Sequence, residues 1–378
     1  YELISWEKRL LESAYEDGEF SKSLDEIIAE EEDVIAKLRN EAEYQVLYSK
    51  INYIFRSGGF TRNEEERKVV DSIADYHLIK GKNTALSSRA SSMCYYIKGL
   101  CAATNRNYED SFQFFKRTIA ILDNNPLIKE DLAQRYVLAH FHLLQCYLDS
   151  MQFEEAKVLI AKIRGFEKEK GFGTMDIVLR IFALSYICEF ALNNAQGNFD
   201  DSEKLISVVN EKLEEYEGKI LKEQLILFKY NRAYTYFGLG EHKKALNVLN
   251  EVLNDNEQQL RQDIYSFARI FNLIIHFELE NLDFLEYIIK STSRYINKHT
   301  RDYSIESTVL KFMRKLAKPL SPKQQQEIFI KMKAEISTLM NNQQERVILE
   351  YFNLPAWIES KLNKSDFSTA IKGYINNT

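Results

Sequence analysis

The sequence predicts an all-α protein made of about eight helical hairpins, and three observations carry that reading. Four prolines and thirteen glycines in 378 residues are few. Both residues cost free energy inside helices, so their scarcity favours a chain that is mostly helix. The stretch Tyr230 to Leu253, YNRAYTYFGLGEHKKALNVLNEVL, reads as helix, tight turn, helix. An apolar run ends at Gly238 and Gly240, and a second amphipathic run opens at Glu241 and His242. Weaker copies of this unit recur along the chain, and no segment reads as a convincing strand.

Composition bounds the function classes. Hydrophobic residues make up 45% of the chain and charged residues 28%, enough for a core and a solvated surface. The 22 Tyr and 23 Phe call for thick aromatic packing between long helices or an aromatic-lined surface. A net charge of −6 repels phosphate backbones, so nucleic acid is not an expected partner. The basic segments Lys311 to Lys318 and Lys323 to Lys333 carry apolar residues at helical spacing and read as solvated helix faces. Cys94, Cys101, Cys146 and Cys188 form no CxxC pair; reduced thiols and a cytoplasmic setting fit them. No run of about 18 apolar residues marks a membrane span. The chain begins at Tyr1 without Met, which leaves room for a leader or another domain upstream.

Taken in order, Tyr1 to Arg39 reads as a divergent hairpin turning at Asp17 to Glu19, with Phe20 and Ser23 in the matching places. Glu41 to Ile79 gives another, turning at Ser57 to Thr61. Five clearer units follow, each with a small or apolar anchor early in its second helix: Ser111, Ala156, Ser202, Ala245 and Leu285. Between them, Gly165 to Thr174 is a longer connection. Asp302 to Ala317 and Pro322 to Leu339 pair around Pro319, with Pro322 at a first helical position. Gln343 to Leu362 reads as two short helices broken before Pro355, with Trp357 and Ile358 available to cap the last apolar face. Three regions result: divergent hairpins over 1–80, the repeat array over 81–300, and a hairpin with capping helices over 301–378.

The opening unit resembles the tetratricopeptide repeat (TPR) family. Ala233, Tyr236, Gly240, Ala245, Leu249 and Val252 fall on the family's pattern, whereas Lys229 replaces its early aromatic residue. The resemblance covers roughly residues 90 to 300 and implies a right-handed α-α superhelix. The anchors are 45, 46, 43 and 40 residues apart, against about 34 in the standard repeat, so the array is TPR-like with longer helices or turns. The stretches ENLDFLEYIIKSTSRY and FNLPAWIESKL are also similar to TPR-like proteins of unassigned role from Bacteroidetes-type bacteria. That likeness carries over no site residue.

Catalytic patterns are missing. Gly58-Gly59 is not followed by GK[ST], and neither HExxH nor GxSxG occurs. His140 and His142, two apart on one helix, point to different faces. His77, His242, His276 and His299 are scattered, and His276 sits where the family packs a Tyr. The acidic runs Glu30 to Asp33 and Glu64 to Glu66 fan round their helices and read as solvated faces. The sequence therefore predicts no enzyme, no metal and no cofactor.

In TPR arrays the first helix of each hairpin lines a concave groove. By that resemblance the groove residues here are Tyr96, Phe141, Gln145, Tyr230, Asn231, Tyr234, Phe237, Ile270 and Phe277, with Leu100, Ile187, Ala191 and Ile274 alongside. The chaperone-binding members use Lys and Asn at two of these positions. Here the first carries Tyr96, Phe141, Ile187, Tyr230 and Ile270, and the second Leu100, Gln145, Ala191, Tyr234 and Ile274, so the carboxylate clamp is absent. An aromatic wall remains, which fits either an amphipathic or extended peptide anchored by Tyr230, Tyr234 and Phe237 or the closed core of a tightly wound array. The expected function is a non-catalytic protein- or peptide-binding scaffold. The alternative is a peptide-responsive signalling regulator in which residues 1–80 form a separate helical bundle.

Overall fold

The computed structural model describes residues 1–13, 22–58, 61, 64–255, 261–298, 304–342 and 345–376. Among these the chain is helical throughout, with no strand. Helices α1 (Glu2–Ser13), α2 (Leu24–Gly58) and α3 (Glu64–Ala74) come first. Six helix pairs follow in series. They are α4 (Ser88–Thr104) with α5 (Tyr108–Asp123); α7 (Ala133–Asp149), reached through the short α6 (Pro126–Asp131), with α8 (Phe153–Gly165); and α9 (Met175–Ala195) with α10 (Phe199–Glu215). The next are α11 (Lys222–Gly238) with α12 (His242–Leu253), α13 (Gln262–Glu278) with α14 (Leu282–Lys298), and α15 (Ser304–Leu316) with α16 (Pro322–Leu339). The chain ends with α17 (Ile348–Tyr351), α18 (Leu354–Asn363) and α19 (Phe367–Asn376).

The N-terminus corrects the expected hairpin count. The turn read at Asp17 to Glu19, with Phe20, lies outside the described residues, as does His299. The helix after that turn does not stop near Arg39; α2 runs unbroken for 35 residues. Nothing between Leu24 and Ser57 is Gly or Pro, so no residue there disfavours helix strongly enough to end it. Two expected hairpins thus share one long helix.

The repeat units share one turn geometry. The residue five before each anchor has a left-handed backbone: Arg106 (φ 61°), Met151 (φ 56°), Gly197 (φ 71°), Gly240 (φ 77°) and Glu280 (φ 57°). In each case the next amide bonds back to a carbonyl five residues earlier, as from Asn107 to Ala102 and from Glu241 to Tyr236. This is the αL-type helix ending that satisfies orphan carbonyls. Only two of the five positions are Gly. The others accept about 1 to 2 kcal/mol of steric cost, so the turn is imposed by packing of the two helices. All five anchors are fully buried.

The first helices of successive pairs touch one another, α7 on α9, α9 on α11, α11 on α13 and α13 on α15. They form a wall whose most enclosed member is α13, buried from Asp263 to Ala268 and again from Ile270 to Phe277. Its polar Asp263, Ser266, Asn272 and His276 are buried along with its apolar residues. Around α13 pack α11, α12, α14, α15, α17 and part of α2. One hydrophobic core runs from Tyr44 to Leu192. A second runs from Phe199 to Ile371 and includes the C-terminal helices, and a smaller aromatic cluster around Phe182, Phe190 and Phe228 lies between them.

Candidate functional site

The wall formed by α11 and α13 is covered by the chain's own C-terminal segment, residues 345–376. The segment is placed by its local sequence. Phe352 is extended (φ −156°, ψ 129°), which ends α17. The Asn353 side chain then accepts from the Ala356 amide at 3.0 Å and caps α18, with Pro355 in its first turn. Asp366 does the same for α19 through the Thr369 amide at 2.7 Å. These short helices present Tyr351, Phe352, Leu354, Trp357, Ile358, Phe367 and Ile371, all buried, to the wall.

Aromatic rings from both sides interlock. Phe352 lies 5.5 Å from Tyr234, 5.4 Å from Phe237 and 5.1 Å from Phe271, centre to centre. Phe367 stacks on Phe199 and Phe352 and meets Phe237 edge-on at 5.3 Å. Tyr351 stacks on Phe267 at 4.4 Å. Trp357 stands edge-on to Phe277 and Phe329, closing the gap between α13 and α16. Such edge and offset contacts add to the area that the rings bury.

Polar groups fix the register. The Tyr230 hydroxyl donates to the Tyr351 carbonyl at 3.2 Å, and the Asn353 amide donates to the Tyr234 hydroxyl at 3.1 Å. Two wall side chains thus read the segment's main chain. Glu278 takes the Trp357 indole N–H on one oxygen and the Lys361 ammonium on the other, each at 2.6 Å. The Tyr351 hydroxyl donates to Asp263, a fully buried carboxylate that Arg261 also grips at 2.6 Å. Glu345 accepts from the Ser304 and Ile305 amides at 2.8 Å each, satisfying the first turn of α15. Toward the N-terminal repeats, Arg106 donates to Glu350 at 2.9 Å, and Ser368 donates to the Gly197 carbonyl at 2.7 Å. Two of the five repeat turns therefore hold the segment.

The electrostatics follow from burial. Desolvation keeps the Tyr230, Tyr234 and Tyr351 phenols protonated, with Asp263 adding to the effect at Tyr351. Half-buried Asp149, bonded by Gln145 at 2.9 Å, has its carboxyl raised by burial and by the neighbouring Glu350 carboxylate, against the pull of Arg106. His140 and His142 are pushed down to about 4 by burial; they lie against Tyr136 and Tyr96. Burial raises the Cys101, Cys146 and Cys188 thiols, to about 12, 11 and 12, which removes nucleophilic character. Among the described residues no three His, Cys, Asp or Glu side chains are grouped to hold a metal.

Of the nine groove residues expected from the sequence, eight are buried and Gln145 is exposed. Tyr230, Tyr234, Phe237 and Phe277 come together beneath the segment, and Ile270 belongs to the same core. Tyr96 and Phe141 are buried in the N-terminal core instead. The Asn231 side chain donates back to the Leu227 carbonyl of its own helix at 3.0 Å. Sequence reading missed Phe271, one residue beyond Ile270, and the carboxylates Asp263 and Glu278. It also missed that the wall is filled in cis; the aromatic pair Tyr351-Phe352 before the Pro355 break was the available signal. A surface depression of about 410 Å³ lies elsewhere, between Ser87, Ser88, Ser91 and Arg117. Compared with family models, curated proteins and solved structures, the chain matches none.

Proposed function

We propose that the protein is a non-catalytic, protein-binding scaffold. It is a TPR-like, right-handed superhelix whose concave face is a peptide site held by its own C-terminal segment. One observation carries the reading. The segment is recognised as a peptide would be, by its main chain, whose Tyr351 carbonyl accepts from Tyr230 and whose Asn353 amide donates to Tyr234, and by anchors at Phe352, Trp357 and Phe367. The partner is then a peptide of the same chemistry, with an aromatic residue, a capped turn containing Pro and a buried Trp, that displaces the segment. Four free, buried cysteines suit a reducing, cytoplasmic compartment. No helix among the described residues is long and apolar enough to cross a membrane, and neither nucleic acid nor a cofactor is part of this reading.

The test uses a fluorescent synthetic peptide of residues 345–376. Wild-type chain, with the site occupied, binds it weakly. The Trp357→Ala chain, whose own segment competes less well, binds it at least about tenfold tighter. Equal binding, or none by either chain, overturns the peptide site. A second reading, the peptide-responsive regulator, draws on one contact: α2 touches α13, so one N-terminal helix reaches the wall itself. Under it, adding the peptide changes amide exchange along α2; unchanged exchange on binding removes it.

A further inference from the structure

The long helix α2 is apolar on two opposite faces. Its inner face, Tyr44, Leu47, Ile51 and Ile54, is buried against the N-terminal core. Its outer face carries Ile28, Ile35, Val46 and Tyr53, which are 37%, 46%, 56% and 77% exposed, while Leu24 (37%) extends the same line at its start and Leu38 (52%) lies to one side. The spacings from Ile28 to Tyr53 are seven, eleven and seven residues. Both intervals return to the same side of an α-helix, and Ala42 falls between them on the same line. The four apolar residues therefore form one straight stripe. Helix α1 meets α2 near Glu31, where Lys8 pairs with it at 2.5 Å; farther along, Val46 and Tyr53 stand exposed.

We propose that this stripe is the interface of a homodimer in which α2 pairs antiparallel with α2 of a second copy. The occupant follows from the pattern. Seven, eleven, seven reads the same from either end, so a two-fold axis between Asn40 and Glu41 sets Ile28 against Tyr53 and Ile35 against Val46, twice over. A parallel partner would also align like with like, but it would bring Glu32, which stands beside the stripe, against its own copy, whereas Glu30, Glu31 and Asp33 pair with Lys22, Lys8 and Lys37 of the same chain. In the antiparallel pair Glu32 instead comes within one residue of register with Lys50 of the other copy. A 35-residue helix is roughly 52 Å long at the usual rise. Pairing along that length buries on the order of 1,200 Å², the size that specific interfaces need. A self-complementary patch is also what a two-fold dimer requires.

The experiment measures the mass of the full chain in solution across the micromolar range. Wild type runs as a dimer. Ile35→Asp with Val46→Asp runs as a monomer with an unchanged helical spectrum, because both positions are exposed and the chain folds without them. Glu32→Lys weakens the dimer, and adding Lys50→Glu restores it. For orientation, Ile35→Cys with Val46→Cys gives a chain that oxidises to a covalent dimer joined from position 35 to position 46. A monomeric wild type overturns the proposal, as does a dimer that survives the double Asp change. Cross-links joining 35 to 35 overturn the antiparallel register.

Discussion

The two ends of the chain solve the same problem in opposite ways. Helices α1 and α2 at one end and α18 and α19 at the other both flank the repeats. Yet α1 buries none of its residues, leaving Trp6 61% exposed, whereas α18 buries Trp357 to 1%. The C-terminal pair is the more apolar of the two, and polar contacts add to the difference. The C-terminal pair meets fixed polar partners on the wall, Glu278 for the indole and Lys361, Tyr234 for the Asn353 amide, and the Gly197 carbonyl for Ser368. Helix α1 has the Lys8 to Glu31 pair and packs on α2. An apolar helix face is committed inward where the surface it meets also satisfies its polar groups.

That contrast can be broken deliberately, starting with the strongest contact. Trp357→Ala removes a fully enclosed indole and leaves Glu278 without one donor; chemical denaturation should register a loss of about 3 to 5 kcal/mol. Next comes Gly238→Ala. A Cβ there would lie 2.3 Å from the Phe199 ring, the ring on which Phe367 stacks. Although Ala favours helix, the overpacking should cost about 1 to 3 kcal/mol, seen as a lower thermal midpoint.

Asp149→Asn probes the far edge of the segment. The folded-state pKa of Asp149 lies above that of the unfolded chain. Between the two the folded protein holds a proton that the unfolded one has released, so stability falls as pH rises through that window and levels off above it. Asn abolishes that slope and stabilises the protein by about 1 kcal/mol at mildly alkaline pH, measured by urea unfolding against pH. The smallest effect belongs to the N-terminal pair: Leu10→Ser, at a position 56% exposed, should move the unfolding free energy of the subunit by no more than about 0.5 kcal/mol.

The repeats were legible because their turns and anchors are local. Ala156, Ala245 and the turn at Gly240 announce helices in close approach, and the 40 to 46 residue spacing located all five units. Two kinds of feature stayed hidden. Left-handed turns at Arg106, Met151 and Glu280 have no Gly to mark them, since the flanking helices enforce the geometry. The cover over Tyr230, Tyr234 and Phe237 comes from residues more than a hundred positions away, and periodicity within α11 cannot tell a groove face from a core face. The continuous α2 was missed for the opposite reason: divergent hairpins were expected where the chain has no breaker.

The central claim is that the C-terminal segment fills the aromatic wall in cis. The chain has only two tryptophans, one at each end of the comparison, so Trp6→Phe leaves Trp357 as the sole emitter. The account predicts blue-shifted emission that acrylamide does not quench until the whole protein unfolds. Red-shifted, readily quenched emission under native conditions would contradict it, because Trp357 would then stand in water and the wall would be open.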